Sequence, residues 1–246
     1  MYILAIDTTG PVCSVAVTDI ETGMTKSASA AEPMGHLRRL AGLIEGLLAE
    51  NGIDRKDIAA VAASSGPGSY TGIRIGVSTA RGIAQALGVQ AIKVPTLEQF
   101  RPEYAALDEK STAVILNARR GQVYGAVFTE DKPVLPPGPY MLADVTGAIR
   151  SAGLDPLVFG DGIDAYEKDD KYSALLGGLR TADVPGRYQD AVRVAAYARK
   201  AYMRGDVTTV NGLVPDYMRK TEAEQRLADG SLEEARRRKM EKFRSM

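Results

Sequence analysis

Residues 4–19 read LAIDTTGPVCSVAVTD and residues 115–130 read ILNARRGQVYGAVFTE, and the two lie over one another without a gap. Gly10 meets Gly121, Val12 meets Val123, and Ala118 falls opposite Asp7. In each, a short apolar run leads into turn residues and out into an alternating run, the pattern of two antiparallel strands joined at a glycine. Two copies of one supersecondary unit predict a duplicated fold. The alternative is two unrelated hairpins.

The flanks extend the pattern. After the first hairpin, MGHLRRLAGLIEGLLAENG carries Leu37, Leu40, Leu43, Ile44, Leu47 and Leu48 at three- and four-residue spacing, an amphipathic helix stopped at Gly52. A short helical piece from Asp54, the strand VAAS and a helix from Gly72 to Leu87 closed by Gly88 follow. After the second hairpin come PVLPPGPYM, read as a loop, a helix over 142–152, the strand PLVFGDG and an amphipathic helix over 189–204. The order fits an α/β, actin-like (ASKHA, ribonuclease H-like) duplicated fold, an analogy that fixes no function. It predicts a first domain over 1–104 and a second, degenerate one over 105–224, with the 189–204 helix free to pack back on the first. Residues 225–246 read as a solvated, charge-dense tail.

Composition excludes several classes. The 31 acidic and 31 basic side chains balance, so no global field draws in nucleic acid or an anionic membrane. One cysteine, Cys13, and one histidine, His36, build neither a disulfide framework nor a Cys/His metal cluster. MYILAID has no basic lead and meets Asp7 after a short apolar run, unlike a signal peptide or a membrane span. The expectation is a soluble cytoplasmic protein.

The stretch SSGPGSYTGIRIG, 64–76, looks like a phosphate loop and fails as one. A Walker A loop needs lysine and a hydroxyl residue after its last glycine, and here Ile73 and Arg74 follow Gly72. A dinucleotide fingerprint needs a small residue three places after Gly68, and position 71 is threonine. Thr71 as helix cap, the first-turn N–H groups and Arg74 leave a generic anion contact. Along the helix, Gly72, Gly76, Ala80 and Ala84 form one ridge. Two glycines inside a helix cost roughly 1 kcal/mol each, so another element is expected to approach closely: the first helix, another subunit, or both.

Candidate chemistry is sparse. Asp7 ends the first strand beside Thr8 and Thr9, where an actin-like domain would hold metal or phosphate; the plain alternative is a turn aspartate bonded to its own backbone. Ala118 denies the second hairpin a matching acid. A helix-borne metal site at His36 needs a second ligand one turn on, and position 40 is leucine. Ser64, Ser65 and Ser69 have no base beside them in sequence.

ILAIDTT, SSGPGSYTGIRIGVSTARGIA, VPTLEQF, NARRGQVY, FGDG and PDYMRKTEAE, in this order, resemble the TsaB (YeaZ) family of bacterial tRNA threonylcarbamoyladenosine biosynthesis proteins. The match runs from Met1 to about Glu224 and leaves the tail uncovered. The resemblance implies the actin-like fold and a subunit with no active site or metal of its own, related to the catalytic TsaD. It implies pairing with TsaD, work with the ATPase TsaE, and transfer of threonylcarbamoyl to N6 of adenosine 37 in tRNAs reading codons that begin with A. It also implies homodimers, tRNA met through the complex, and ATP or ADP at the junction with TsaD rather than a resident cofactor. The interface is expected on two helices: His36, Leu40, Leu43 and Leu47 on the first, and Tyr70, Gly72, Ile73, Gly76, Ala80 and Ala84 on the second. A weaker anion or nucleotide contact falls on Asp7, Thr8, Thr9, Gly68, Ser69, Thr71 and Arg74. The family usually carries acids where this chain has Asn117 and Gln122, so no charge-dependent role is carried over to them. The competing expectation is an ATP-handling enzyme of the actin-like kinase or ATPase class.

Overall fold

In the computed structural model, strand β1 (Tyr2–Asp7) is the hub of the first half, because its residues 3–7 are all buried and it pairs on both edges. It runs antiparallel to β2 (Cys13–Asp19) and parallel to β4 (Ile58–Gly66). β3 (Thr25–Ala30) and β5 (Gln90–Pro95) complete a sheet of order β3-β2-β1-β4-β5. The second half repeats it. β6 (Ser111–Asn117) pairs antiparallel with β7 (Gln122–Thr129) and parallel with β9 (Leu157–Phe159), and β8 (Pro133–Met141) and β10 (Arg180–Thr181) close the edges. The order β8-β7-β6-β9-β10 is that of the first sheet, element for element. The duplication and the actin-like α/β fold expected from the paired hairpins are therefore present.

The structure describes residues 1–30, 36–101, 103, 109–130, 132–184 and 186–218, with only the backbone for 36–38. Met1–Asp216 form one compact unit; of the remaining unit, Tyr217 and Met218 alone are described. The predicted tail over 225–246 lies outside the described residues.

Helices α1 (His36–Glu50) and α2 (Tyr70–Leu87) touch one another and cover one side of the first sheet. Helix α6 (Ala191–Arg204) lies on the other side, against Ile3, Ala5, Ala16, Ala60, Ala62, Ile92 and Val94. Its own buried stripe is Ala191, Val194, Ala195, Ala198 and Ala201, so small residues line both partners and the helix sits close to the sheet. In the second half α3 (Leu142–Ser151), α4 (Gly162–Tyr166) and α5 (Ser173–Leu176) pack on Ala113, Ile115, Val123, Val127 and Val158.

Three local expectations need correction. PVLPPGPYM is strand β8 rather than a loop: it is an edge strand paired only with β7, where proline, lacking an N–H, is tolerated. Helix α2 begins at Tyr70, and its cap is Ser69, whose Oγ accepts from Gly72 N at 3.2 Å, not Thr71. The ungapped overlay also slips at the turns. Asp7 pairs with Ser14 and Asn117 with Val123, so six residues, 8–13, separate the first pair and only five, 118–122, the second. Asn117, not Ala118, ends its strand as Asp7 does.

Candidate functional site

The end of β1 and the start of α2 meet where an actin-like domain would hold phosphate, and here the place is filled by the chain itself. The Thr9 carbonyl accepts from Ser69 N at 2.8 Å, and Thr8 Oγ1 donates to the Gly72 carbonyl at 2.6 Å. A Cβ on Gly72 would fall on the Thr8 carbonyl, one on Gly68 would lie 2.6 Å from the Thr9 carbonyl, and one on Gly76 would lie 2.5 Å from Thr8 Oγ1. Gly68, Gly72 and Gly76 thus let the first hairpin turn dock onto the helix start, while Gly66 makes room for the Asp216 backbone. Gly68, at φ 153°, also adopts backbone geometry that side chains resist.

Asp7 lies beneath this contact with no exposed surface. Its Oδ1 accepts from Thr9 N and Thr9 Oγ1, both at 2.8 Å. Its Oδ2 accepts from Ser64 Oγ at 2.5 Å and from Gln99 Nε2 at 3.1 Å. Burial pushes its pKa above the usual carboxylate range, against the pull of the four donors, Ser64 foremost. Burial also raises the Cys13 thiol to about 11, with the Asp7 charge adding to the rise. Ser64 is buried as well and spends its hydroxyl on Asp7. A nucleophile or phosphate ligand has to meet its substrate, and neither group has a surface to do so.

From Asp7 the network continues into the seam between the sheets. Gln99 Oε1 accepts from Asp190 N at 3.3 Å, and Asp190 caps α6 by accepting from Val192 N and Arg193 N at 2.8 and 3.0 Å. The Arg193 guanidinium donates to Asp190 Oδ2 at 2.6 Å and to the carbonyls of Tyr188 and Gly186 at 2.8 and 2.7 Å. It also lies 5.2 and 5.0 Å from the ring centres of Phe100, just after the last strand of the first sheet, and Phe159, which ends β9 of the second. Its hydrogen-bond partners are local, Gly186, Tyr188 and Asp190, but the rings of Phe100 and Phe159 come from distant positions and nothing local in the sequence marks them. Asp190, expected from the sequence inside the helix over 189–204, caps it from outside, the helix beginning at Ala191; the signal was an aspartate directly before the helical repeat.

The predicted interface residues divide sharply. Gly72, Ile73, Gly76, Ala80 and Ala84 are buried within the chain, as are Leu40 and Leu47, so the ridge expected to meet a partner instead packs inward. Leu43 is half-buried and Tyr70 exposed; the His36 side chain lies outside what is described. The anion candidates divide too: Asp7, Thr8 and Thr9 are buried, while Ser69, Thr71 and Arg74 are exposed, with Arg74 4.6 Å over the Tyr70 ring. The surface of α2 is instead Thr71, Arg74, Ser78, Gly82, Gln85 and Ala86. Gly42 and Gly46 on α1 and Gly82 on α2 border open space. A smooth surface exists there, one helical face away from the ridge that spacing had singled out. Among the described residues, no group of three or more metal-ligating side chains comes together, and no helix is long and apolar enough to cross a membrane.

Comparison with known proteins agrees with this architecture. Residues 31–135 match the family model of TsaD, tRNA N6-adenosine threonylcarbamoyltransferase. The chain is 28% identical over 228 residues to the tRNA threonylcarbamoyladenosine biosynthesis protein TsaB of Bacillus subtilis, covering 91% of this chain and 96% of the relative. It is 35% identical over 134 residues to TsaB of Escherichia coli, covering 54% of this chain and 57% of the relative. The structure of YeaZ from Pseudomonas aeruginosa superposes with a TM-score of 0.71 at 23% identity, over 88% of this chain and 99% of that one.

Proposed function

We propose that this chain, a relative of the TsaB (YeaZ) proteins, is a non-catalytic subunit in tRNA threonylcarbamoyladenosine biosynthesis. In this reading it binds and activates TsaD and works beside the ATPase TsaE. It thereby serves the transfer of threonylcarbamoyl to N6 of adenosine 37 in tRNAs that read codons beginning with A. Alone it forms a homodimer. It holds no cofactor of its own, a nucleotide at the junction with TsaD being the complex's, and its setting is the cytoplasm.

The sealing of Asp7 is the observation that supports it best. An ATP-handling enzyme of this architecture needs an open carboxylate between the hairpin and the helix start, and here Thr8, Thr9 and Gly72 close that space. What the first half does present is the outer surface of α1 and α2, whose small residues Gly42, Ser78 and Gly82 allow another helix to approach.

Size-exclusion chromatography with TsaD tests the reading. The wild-type chain is expected to co-elute, and Gly82→Leu to keep its melting temperature and lose co-elution. ATP turnover by the chain alone, abolished in Asp7→Ala, would overturn it.

A further inference from the structure

The turn between β6 and β7 carries side chains its backbone does not favour. Arg119, Arg120 and Gly121 all have positive φ, at 67°, 56° and 76°. Gln122 N donates to the Arg119 carbonyl and Ala118 N to the Gln122 carbonyl, both at 3.0 Å, so Arg120 and Gly121 are the central pair of a tight hairpin turn. Such a turn takes asparagine or glycine at its first central position, because a side chain with a Cβ is strained at positive φ. Two successive arginines there meet no need of the fold. An observed outlier of this kind points toward function.

The turn is also braced. The Tyr166 hydroxyl accepts from Gly121 N at 3.1 Å, the Gly121 carbonyl accepts from Leu142 N at 2.9 Å, and the Tyr172 ring packs against Gly121 where a side chain would stand. Tyr172 and Tyr166 meet edge to face at 5.1 Å, and Lys171 Nζ lies 5.1 Å over the Tyr172 ring. Arg119 and Arg120 are exposed, and neither guanidinium has a partner among the described residues. The segment 117–122, NARRGQ, contains no acid. Carboxylates on the elements that brace the turn are held by backbone N–H groups: Asp161 by Asn117 at 2.9 Å, Asp144 by Met141 at 3.0 Å and Asp169 by Lys171 at 2.9 Å. They temper any broad basic field, so recognition here rests on short-range guanidinium contacts.

We infer that this turn is an RNA-backbone contact: Arg119 and Arg120, with Lys171 beside them, grip successive phosphates of the tRNA on which the proposed complex acts. The inference rests on that reading for its choice of tRNA. Two like charges on adjacent residues repel until both are engaged. A polyanion with a phosphate at every nucleotide engages them together, each guanidinium fork matching two phosphate oxygens. The rigid turn has little freedom left to lose on binding.

The test measures fluorescence anisotropy of unfractionated bacterial tRNA with the full chain, alone and mixed with TsaD, over a salt series. The double variant Arg119→Gly/Arg120→Asn suits the turn better than the wild type, so it folds. Its affinity for tRNA is expected to fall about tenfold or more at low salt, with the salt slope reduced by about one per arginine. Unchanged affinity and slope, or a wild-type chain that binds no tRNA in either mixture, would overturn the inference. So would a loss seen with poly-glutamate and not with tRNA, which would reassign the turn to an acidic protein. Co-elution of the double variant with TsaD separates the two readings. Co-elution with unchanged tRNA binding sinks only the turn, whereas weakened tRNA binding without co-elution of even the wild type sinks only the partnership.

Discussion

Asn117 stands to the second hairpin as Asp7 stands to the first: each ends its strand, and each accepts on Oδ1 from the backbone N–H two residues on, Arg119 in one case and Thr9 in the other, both at 2.8 Å. The two positions have diverged around that shared bond. Asp7 is buried among four donors, whereas Asn117 is exposed and its Oδ1 also accepts from the Tyr166 hydroxyl at 3.2 Å. The side chain is a carboxylate where the chain seals it and an amide where solvent reaches it.

Burial of Asp7 has a sign in the pH dependence of stability. Its folded pKa is raised above that of an ordinary aspartate, so between the two values the native chain holds a proton that the unfolded chain has already released. The contribution of Asp7 is therefore greatest below the unfolded pKa and is lost as pH rises through the folded one. Asp7→Asn cannot titrate. The melting temperature of the variant, measured relative to wild type, is expected to improve as pH rises above the unfolded pKa and to level off above the folded one; a difference constant across the whole acid range would contradict the assignment. Asp161, also raised by burial, titrates in both proteins and cancels.

The inward ridge of α2 makes its glycines structural. Gly72→Ala drives a methyl into the Thr8 backbone carbonyl, which no rotamer change relieves. Gly76→Leu meets Thr8 Oγ1 and Ile6 beneath it. Each is expected to cost about 1–3 kcal/mol or more, read as a lower denaturation midpoint of the isolated chain, whatever partner is present.

Gly82 behaves oppositely. It is exposed in the interior of the same helix and borders open space. Gly82→Ala is expected to stabilise the chain by up to about 1 kcal/mol through helix propensity alone. Thermal melts in the absence of partners check this, and a destabilised variant would place an unseen contact at that surface.

Arg193 is expected to be the most sensitive polar residue of the seam. Arg193 is buried and its partner Asp190 half-buried, so Arg193→Ala leaves Asp190 without its counter-charge and strips a cation from between Phe100 and Phe159. A loss of about 3 kcal/mol is expected. Arg193→Lys should recover only a minor part of it, because a single ammonium cannot reach Gly186, Tyr188 and Asp190 in one geometry. Denaturant titrations of the two variants distinguish the cases.

The sequence was most legible where periodicity and turn chemistry agree. Both hairpins, the helix stops at Gly52 and Gly88 and the duplicated order could be read from residue spacing. What spacing cannot report is which side of a helix faces the sheet when both sides are small. In α2 the ridge of Gly72, Gly76, Ala80 and Ala84 and the outer residues Ser78, Gly82 and Ala86 are alike in size, and only tertiary packing sorts them. The edge strand β8 was missed because its prolines outweighed its alternation. The pairing of Arg193 with rings at positions 100 and 159 leaves no local trace at all.

Helix α6 gives the chain a particular order of events during synthesis. The first sheet is fully translated by Pro95, yet the helix that packs on Ile3, Ala5, Ala16, Ala60 and Ala62 is residues 191–204. At ordinary elongation rates of about 5–20 residues per second, that face waits roughly five to twenty seconds for its lid. Its exposed lining is mainly alanine rather than leucine or phenylalanine, which lowers the stickiness of the waiting surface. The bulkier core of the first half, Leu40, Ile44, Leu47, Ile73 and Val77, is on the α1 and α2 side and can close at once. The distribution of large and small residues between the two faces thus follows the timetable on which the ribosome delivers their partners.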